Sequence, residues 1–195
     1  MFRHWLLLPV LLPLPAVAFD LDDLQRRLGD IPGLEGRFEQ QRHLADLDAQ
    51  LDSHGSYRYE RDARVIWQLE APVEERMEFT PDAAENIADD EAGNRRDAQV
   101  ASLFLELLGG DWQALDEHFD LSLEGSDEQW HVTLTPESSA LKERLERIEL
   151  RGGEFLERLE LNAANDDELR IEFFEQQVIV PDSGDSGEAG HADDT

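Results

Sequence analysis

Gly55-Ser56-Tyr57-Arg58-Tyr59-Glu60-Arg61-Asp62-Ala63-Arg64-Val65-Ile66-Trp67-Gln68-Leu69 contains two runs in which large residues recur at every second position, and the runs meet at Asp62. Tyr57 and Tyr59 share one side of the first run; Val65, Trp67 and Leu69 share one side of the second. Successive side chains of a strand point to opposite faces, so a period of two in aromatic and β-branched residues marks a half-buried strand. A helix would repeat at three and four. The stretch therefore predicts two neighbouring antiparallel strands with one face in a core.

Reading outward, Leu34, Phe38 and Leu44 mark a preceding strand, Leu51 opens the strand that reaches Tyr59, and Val73, Met77 and Phe79 mark a fourth. Ser53-His54-Gly55, Asp62, Pro72 and Pro81 supply the breaks expected of a meander. Leu21, Leu24 and Leu28, with acids early and arginines late, predict a short amphipathic helix matched to its own dipole, ended by Gly29 and Pro32-Gly33. A short strand over 86–88 and an acidic loop to Gly93 come next. Val100, Leu103, Phe104, Leu107 and Leu108 then share one face of a helix over 97–108, stopped by Gly109-Gly110, and a shorter helix follows over 112–118. Strands return over 119–123, 129–135, 145–151, 154–162 and 168–177, with a turn of helix after Pro136. Gly152-Gly153 reads as a two-residue hairpin turn of the kind that admits positive φ. The expected protein is mainly β (α+β), an antiparallel sheet of about nine to eleven strands, and a sheet that wide must curl. Its concave side is where the apolar faces of the helices find a partner.

Residues 1–18 have three regions: Arg3 and His4, an apolar run to Val17, and the small-x-small pattern Ala16-Val17-Ala18. This predicts a secretory signal peptide cleaved before Phe19. Pro9, Pro13 and Pro15 argue against a membrane anchor, because a span needs about 20 apolar residues in a stable helix. The chain has no cysteine, which excludes disulfides, thiolate catalysis, cysteine-bound metals and a lipidated N-terminal cysteine. The expectation is a soluble protein of the periplasm with one domain over 19–180. Residues 181–195, rich in Gly, Ser and Asp, read as a disordered acidic tail.

The formal net charge of −29, from 46 acidic and 17 basic residues, opposes binding to nucleic acid and to anionic membranes. Two readings compete: an acidic face that recruits a basic partner, and a solvated surface adapted to salt. The acids are spread along the whole chain, which favours the second. Catalysis finds little support: there is no G-x-S-x-G, no Gly-rich phosphate loop and no H-E-x-x-H. His43, His54, His118, His131 and His191 have no short metal-ligand spacing. His43 and His54 stand on the two arms of one hairpin, where a surface pair is the plain reading. No cofactor and no metal are expected.

Arg61, Trp67 and Pro72, at intervals of six and five, resemble a pattern of the outer-membrane lipoprotein carrier (LolA-like) family. Phe38-Glu39-Gln40-Gln41 is similar to the family's F-x-Q start, Gly110-Asp111-Trp112 follows the place of its lid helix, and Leu134-Thr135-Pro136 resembles its late turn. The ordered set extends over about 24–177. The resemblance implies an unclosed antiparallel half-barrel with helices covering the concave face. It also implies a hydrophobic cavity for the acyl chains of a lipid-modified client, passed from an inner-membrane exporter towards an outer-membrane acceptor by a monomeric carrier. It would make Arg61 a latch that holds the lid by hydrogen bonds to lid backbone. Candidate lining residues are Phe38, Tyr57, Tyr59, Trp67, Met77, Phe79, Leu103, Phe104, Leu107, Trp130 and one of Phe173 and Phe174, with ordinary core packing the competing account of each. Asp62 stands where the best-known members have Pro, and 86–93 lacks the family's D-G-x-x-x-W. In this the chain resembles a divergent LolA-related branch, for which the cargo is a lipoprotein or another acylated lipid such as a glycolipid or polyene lipid. A lipid-binding sensor or scaffold that does not shuttle is the alternative.

Overall fold

The structure is a computed structural model, described here over residues 19–80 and 112–181. Helix α1 (Leu21–Gly29) starts at Asp20, whose carboxylate accepts from Asp23 N at 3.0 Å while the Asp23 carboxylate accepts from Asp20 N at 3.4 Å. Two otherwise orphaned amides are thereby satisfied. Arg26 and Arg27 complement the dipole at the other end, and Leu24 and Leu28 are buried. Strands β1 (Gly33–Leu44), β2 (Ala49–Glu60), β3 (Arg64–Ala71) and β4 (Glu75–Phe79) follow as a meander. Helix α2 (Trp112–Asp116) leads into β5 (Phe119–Gly125) and β6 (Trp130–Pro136). Helix α3 (Ser139–Lys142) precedes β7 (Leu145–Gly152), β8 (Leu156–Ala163) and β9 (Glu168–Val178).

All nine strands join one antiparallel sheet in the order β4-β3-β2-β1-β9-β8-β7-β6-β5. Among the described residues β4 and β5 remain edges, so the sheet is an unclosed half-barrel, as the alternation and the resemblance led one to expect. The two meanders meet at β9, which lies between β1 and β8. The inner face carries the core: Phe38, Tyr59, Val132, Leu134, Ile148 and Ile171 are each 4 % exposed or less. The expected strand at 86–88 and helix at 97–108 lie outside the described residues.

Two expected breaks are corrected. Ser53-His54-Gly55 does not interrupt β2, and β1 turns back earlier, through a single 3-10 turn at Ala45–Leu47 and Asp48 at φ 45°. Gly55 is needed for contact instead: a Cβ there would lie 1.9 Å from the Gln68 carbonyl oxygen and 3.0 Å from the Phe38 ring, where the β2–β3 register shifts. Gly152-Gly153 is likewise not a two-residue turn. Gly152 pairs with Leu156, leaving three residues between them, and neither glycine has positive φ. A Cβ on Gly152 would come within 2.0 Å of the Phe155 carbonyl oxygen and 2.5 Å of the Trp130 ring. The turn before β3 is as expected, with Asp62 at φ 56°, a conformation that Asp tolerates through its short polar side chain.

Charge is ordered on the outer face. Glu35 stands opposite Arg58 in the β1–β2 register, Arg158 opposite Glu172 and Glu160 opposite Arg170 in the β8–β9 register, with N–O separations of 2.8–3.0 Å. Arg37 reaches Glu70 across β2 at 2.9 Å. The same register places His43 opposite Gln50 and His54 opposite Glu39, so the two imidazoles are four residue pairs apart and do not meet.

Candidate functional site

Among the described residues an aromatic surface of the inner face is built by β1, β2, β3 and β9. Phe38 stands opposite Gly55 on β2 and Phe173 on β9. Because Gly55 has no side chain, the Phe38 ring passes over β2 and stacks on Trp67 of β3, with centroids 3.8 Å apart and planes at 27°. Tyr57 and Trp67 each meet the Phe173 ring edge-on, at 5.4 and 6.3 Å. Such geometries use the ring quadrupole beyond simple area burial. Phe173 is therefore the inward member of its pair. Phe174, opposite Arg37, looks outward into a depression of about 640 Å³ that it lines with Phe155, Arg151 and Arg158.

The polar ends of these rings are tied off by groups that the sequence does not announce. Glu175 takes φ 52° where the β1–β9 register shifts, and the Gln176 side chain reaches the inner face. The Tyr57 hydroxyl donates to Gln176 Oε1 at 2.7 Å, and Gln176 Nε2 donates to the Leu156 carbonyl at 2.9 Å. Burial raises the Tyr57 pKa, so this hydroxyl stays a neutral donor. Trp130 Nε1 donates to the Gly153 carbonyl at 2.8 Å.

Helix α1 is fastened to this frame at two places. Arg61 Nε donates to the Ile31 carbonyl at 2.9 Å, with Nη2 on the same oxygen, and Arg61 N donates to the Pro32 carbonyl at 3.1 Å. On the other side, Arg27 Nη1 donates to the Gly153 carbonyl at 3.1 Å and to the Asp127 carbonyl. Arg27 also lies over the Phe19 ring at 5.3 Å. Arg61 thus touches the backbone that follows α1. Any contact it makes to the expected helix at 97–108, which carries Leu103, Phe104 and Leu107, lies outside the described residues.

Of the other lining candidates, Phe38, Tyr57, Tyr59, Trp67, Trp130 and Phe173 lie buried on the inner face, and Met77 and Phe79 pack against them half-buried from the edge strand β4. The structure brings Phe38, Tyr57, Trp67 and Phe173 into direct contact. Trp130 sits on β6, separated from Phe173 on β9 by β7 and β8 in the sheet. Sequence reasoning missed Arg27 and Gln176. Arg27 had a local explanation in the helix dipole, and nothing in the composition of β9 marks a bulge at Glu175.

The described residues thus form an open antiparallel half-barrel with an aromatic inner face, to which a helix is held by arginine–carbonyl bonds. Residues 14–170 match the family described as outer membrane lipoprotein carrier protein LolA-like. The chain belongs to that family. No curated protein matches it. Solved structures similar to it include the MucA/MucB complex of Pseudomonas aeruginosa, at 16 % identity over 82 % of this chain and 57 % of that one, TM-score 0.49. This chain therefore spans a little over half the length of that one. A LolA superfamily protein from Nitrosomonas europaea is similar at 7 % identity over 83 % of this chain and 94 % of that one, TM-score 0.35. A DUF1329 family protein from Desulfovibrio piger is similar at 8 % identity over 83 % and 91 %, TM-score 0.34. Among the described residues no helix is long and apolar enough to cross a membrane.

Proposed function

We propose that this protein is a periplasmic carrier that receives the acyl chains of a lipid-modified client against its concave face and takes the client from an inner-membrane exporter towards the outer membrane. Family membership supports this reading. The observation that carries it is the aromatic inner face of an open sheet, covered by a short helix that two buried leucines and a few arginine–carbonyl bonds hold in place. Each buried CH₂ contributes about 0.8 kcal/mol, so one long acyl chain gains on the order of 10 kcal/mol in an apolar site. A hydrogen bond from a charged donor contributes about 1.5–3 kcal/mol. The gain from one chain is comparable to what the arginine–carbonyl tethers and the burial of Leu24 and Leu28, at about 1.5–3 kcal/mol each, together oppose, so a cover of this modest stability yields to cargo. Arg61 acts as the latch of that cover, releasing the Ile31 carbonyl as cargo enters. The client is a lipoprotein or another acylated lipid.

The test is lipid extraction and mass spectrometry on protein purified from periplasm without detergent. A stoichiometric acylated species establishes the carrier and names the cargo class. A protein that comes out empty and also fails to bind a hydrophobic dye overturns the reading and leaves a sensor or scaffold built on the same half-barrel.

A further inference from the structure

Several aromatic side chains of the core carry a polar hydrogen, and the fold pairs them unequally. Tyr57 has Gln176 and Trp130 has the Gly153 carbonyl. The Tyr59 hydroxyl and Trp112 Nε1 are buried, on residues 1 % and 4 % exposed, and among the described residues neither has a hydrogen-bond partner. A buried hydroxyl left unpaired costs about 1–3 kcal/mol, and such groups are rare in folded proteins. Phenylalanine at 59 would fill the same space and avoid that cost. The unpaired hydroxyl therefore leaves a place for a partner from outside the described residues, and the acyl cargo of the proposed function is one that could fill it.

The location says what kind of partner. The β2 register sets Tyr59 on the inner face between Leu34 of β1 and Val65 of β3, each 1 % exposed. It precedes Arg61 by two residues and is near enough to feel that guanidinium's charge. Burial pushes its pKa up to about 12, so at neutral pH it is a donor with no charge of its own. A charged headgroup taken into these apolar surroundings would lose far more hydration than one hydroxyl returns. A carbonyl accepts a hydrogen bond, carries no charge, and is the polar group that enters with an acyl chain.

We propose that the Tyr59 hydroxyl donates a hydrogen bond to the ester or amide carbonyl at the head of a cargo acyl chain, so that the inner face selects acyl groups over plain alkyl chains. This rests on the carrier reading and names the chemistry its site prefers. Trp112 Nε1 offers a second donor of the same kind on α2.

The experiment compares binding of a diester phosphatidylethanolamine with that of its diether counterpart of equal chain length, in the wild type and in Tyr59→Phe. The wild type should prefer the ester lipid by about tenfold, the order expected of one buried hydrogen bond. Tyr59→Phe should bind the two alike and melt no lower than the wild type. Equal affinities in the wild type, or a preference that survives in the variant, overturn the inference and leave the carrier reading standing. A Tyr59→Phe melting temperature lowered as far as that of Tyr57→Phe also overturns it, because the hydroxyl then has a structural partner. A wild type that binds neither lipid overturns the carrier reading itself.

Discussion

Arg61 commits its Nε and Nη2 to one carbonyl, that of Ile31, although a guanidinium offers five donors in a fixed fork. Arg61→Leu keeps an apolar stem in place and removes only that bond, so the fold should survive. The cover should lose its hold, with cargo trapped or the cover left open. A loading and release assay reads this directly: a variant that loads and releases as the wild type does removes the latch assignment. Glu60, the residue before it, is buried and takes hydrogen bonds from Arg58 Nε at 2.8 Å and Arg64 Nε at 2.9 Å. These hold its carboxyl below the ordinary value of 4.5. A depressed carboxylate pKa stabilises the fold above the unfolded value, and the contribution is lost as pH falls through the folded one. Glu60→Gln should therefore be less stable than wild type at pH 7, with the gap closing as pH drops below about 4.5. Denaturant melts of both proteins across that range check the sign.

At the scale of elements, α1 joins the sheet by its apolar face, by Arg61 after its end and by Arg27 within its last turn. Arg27→Ala should loosen this helix without unfolding the sheet. Amide exchange should accelerate over Leu21–Gly29 and stay unchanged in β1 and β9; equal acceleration in both would mean that the helix and the sheet open together. The helix itself was legible, because Leu24 and Leu28 share a face and acids precede arginines. So were the strands around Tyr57, Tyr59, Val65 and Trp67, since a half-buried strand prints its alternation on the sequence. The turns were less so. Gly55 and Gly152 resemble turn glycines, but each is small because backbone and a ring press on it, Gln68 and Phe38 at Gly55, Phe155 and Trp130 at Gly152. The bulge at Glu175 left no mark either, although it decides that Gln176 reaches Tyr57. The choice between Phe173 and Phe174 needed the register with β1.

For the whole molecule the dominant quantity is charge. The outer-face ion pairs are half-exposed, and such pairs contribute about 1 kcal/mol or less each, which salt weakens. A net charge of −29 repels itself over the entire molecule, and salt relieves that repulsion as the screening length falls from about 10 Å at 0.1 M to about 3 Å at 1 M. The second effect is the larger, so the melting temperature should rise between 0.05 M and 2 M salt. An unchanged value would mean that the acids are already far enough apart in the folded chain.

The placement of β9 has a consequence for how the molecule is made. Among the described residues the strand that joins the two meanders is the last in sequence, and its partner β1 is the first. Each meander can pair its own neighbours as it emerges, but the concave face has no continuous floor until residues 168–178 slot between Gly33–Leu44 and Leu156–Ala163. Pairing within each meander is thus local in sequence, and the concave face is made continuous by the single long-range pairing of β1 with β9.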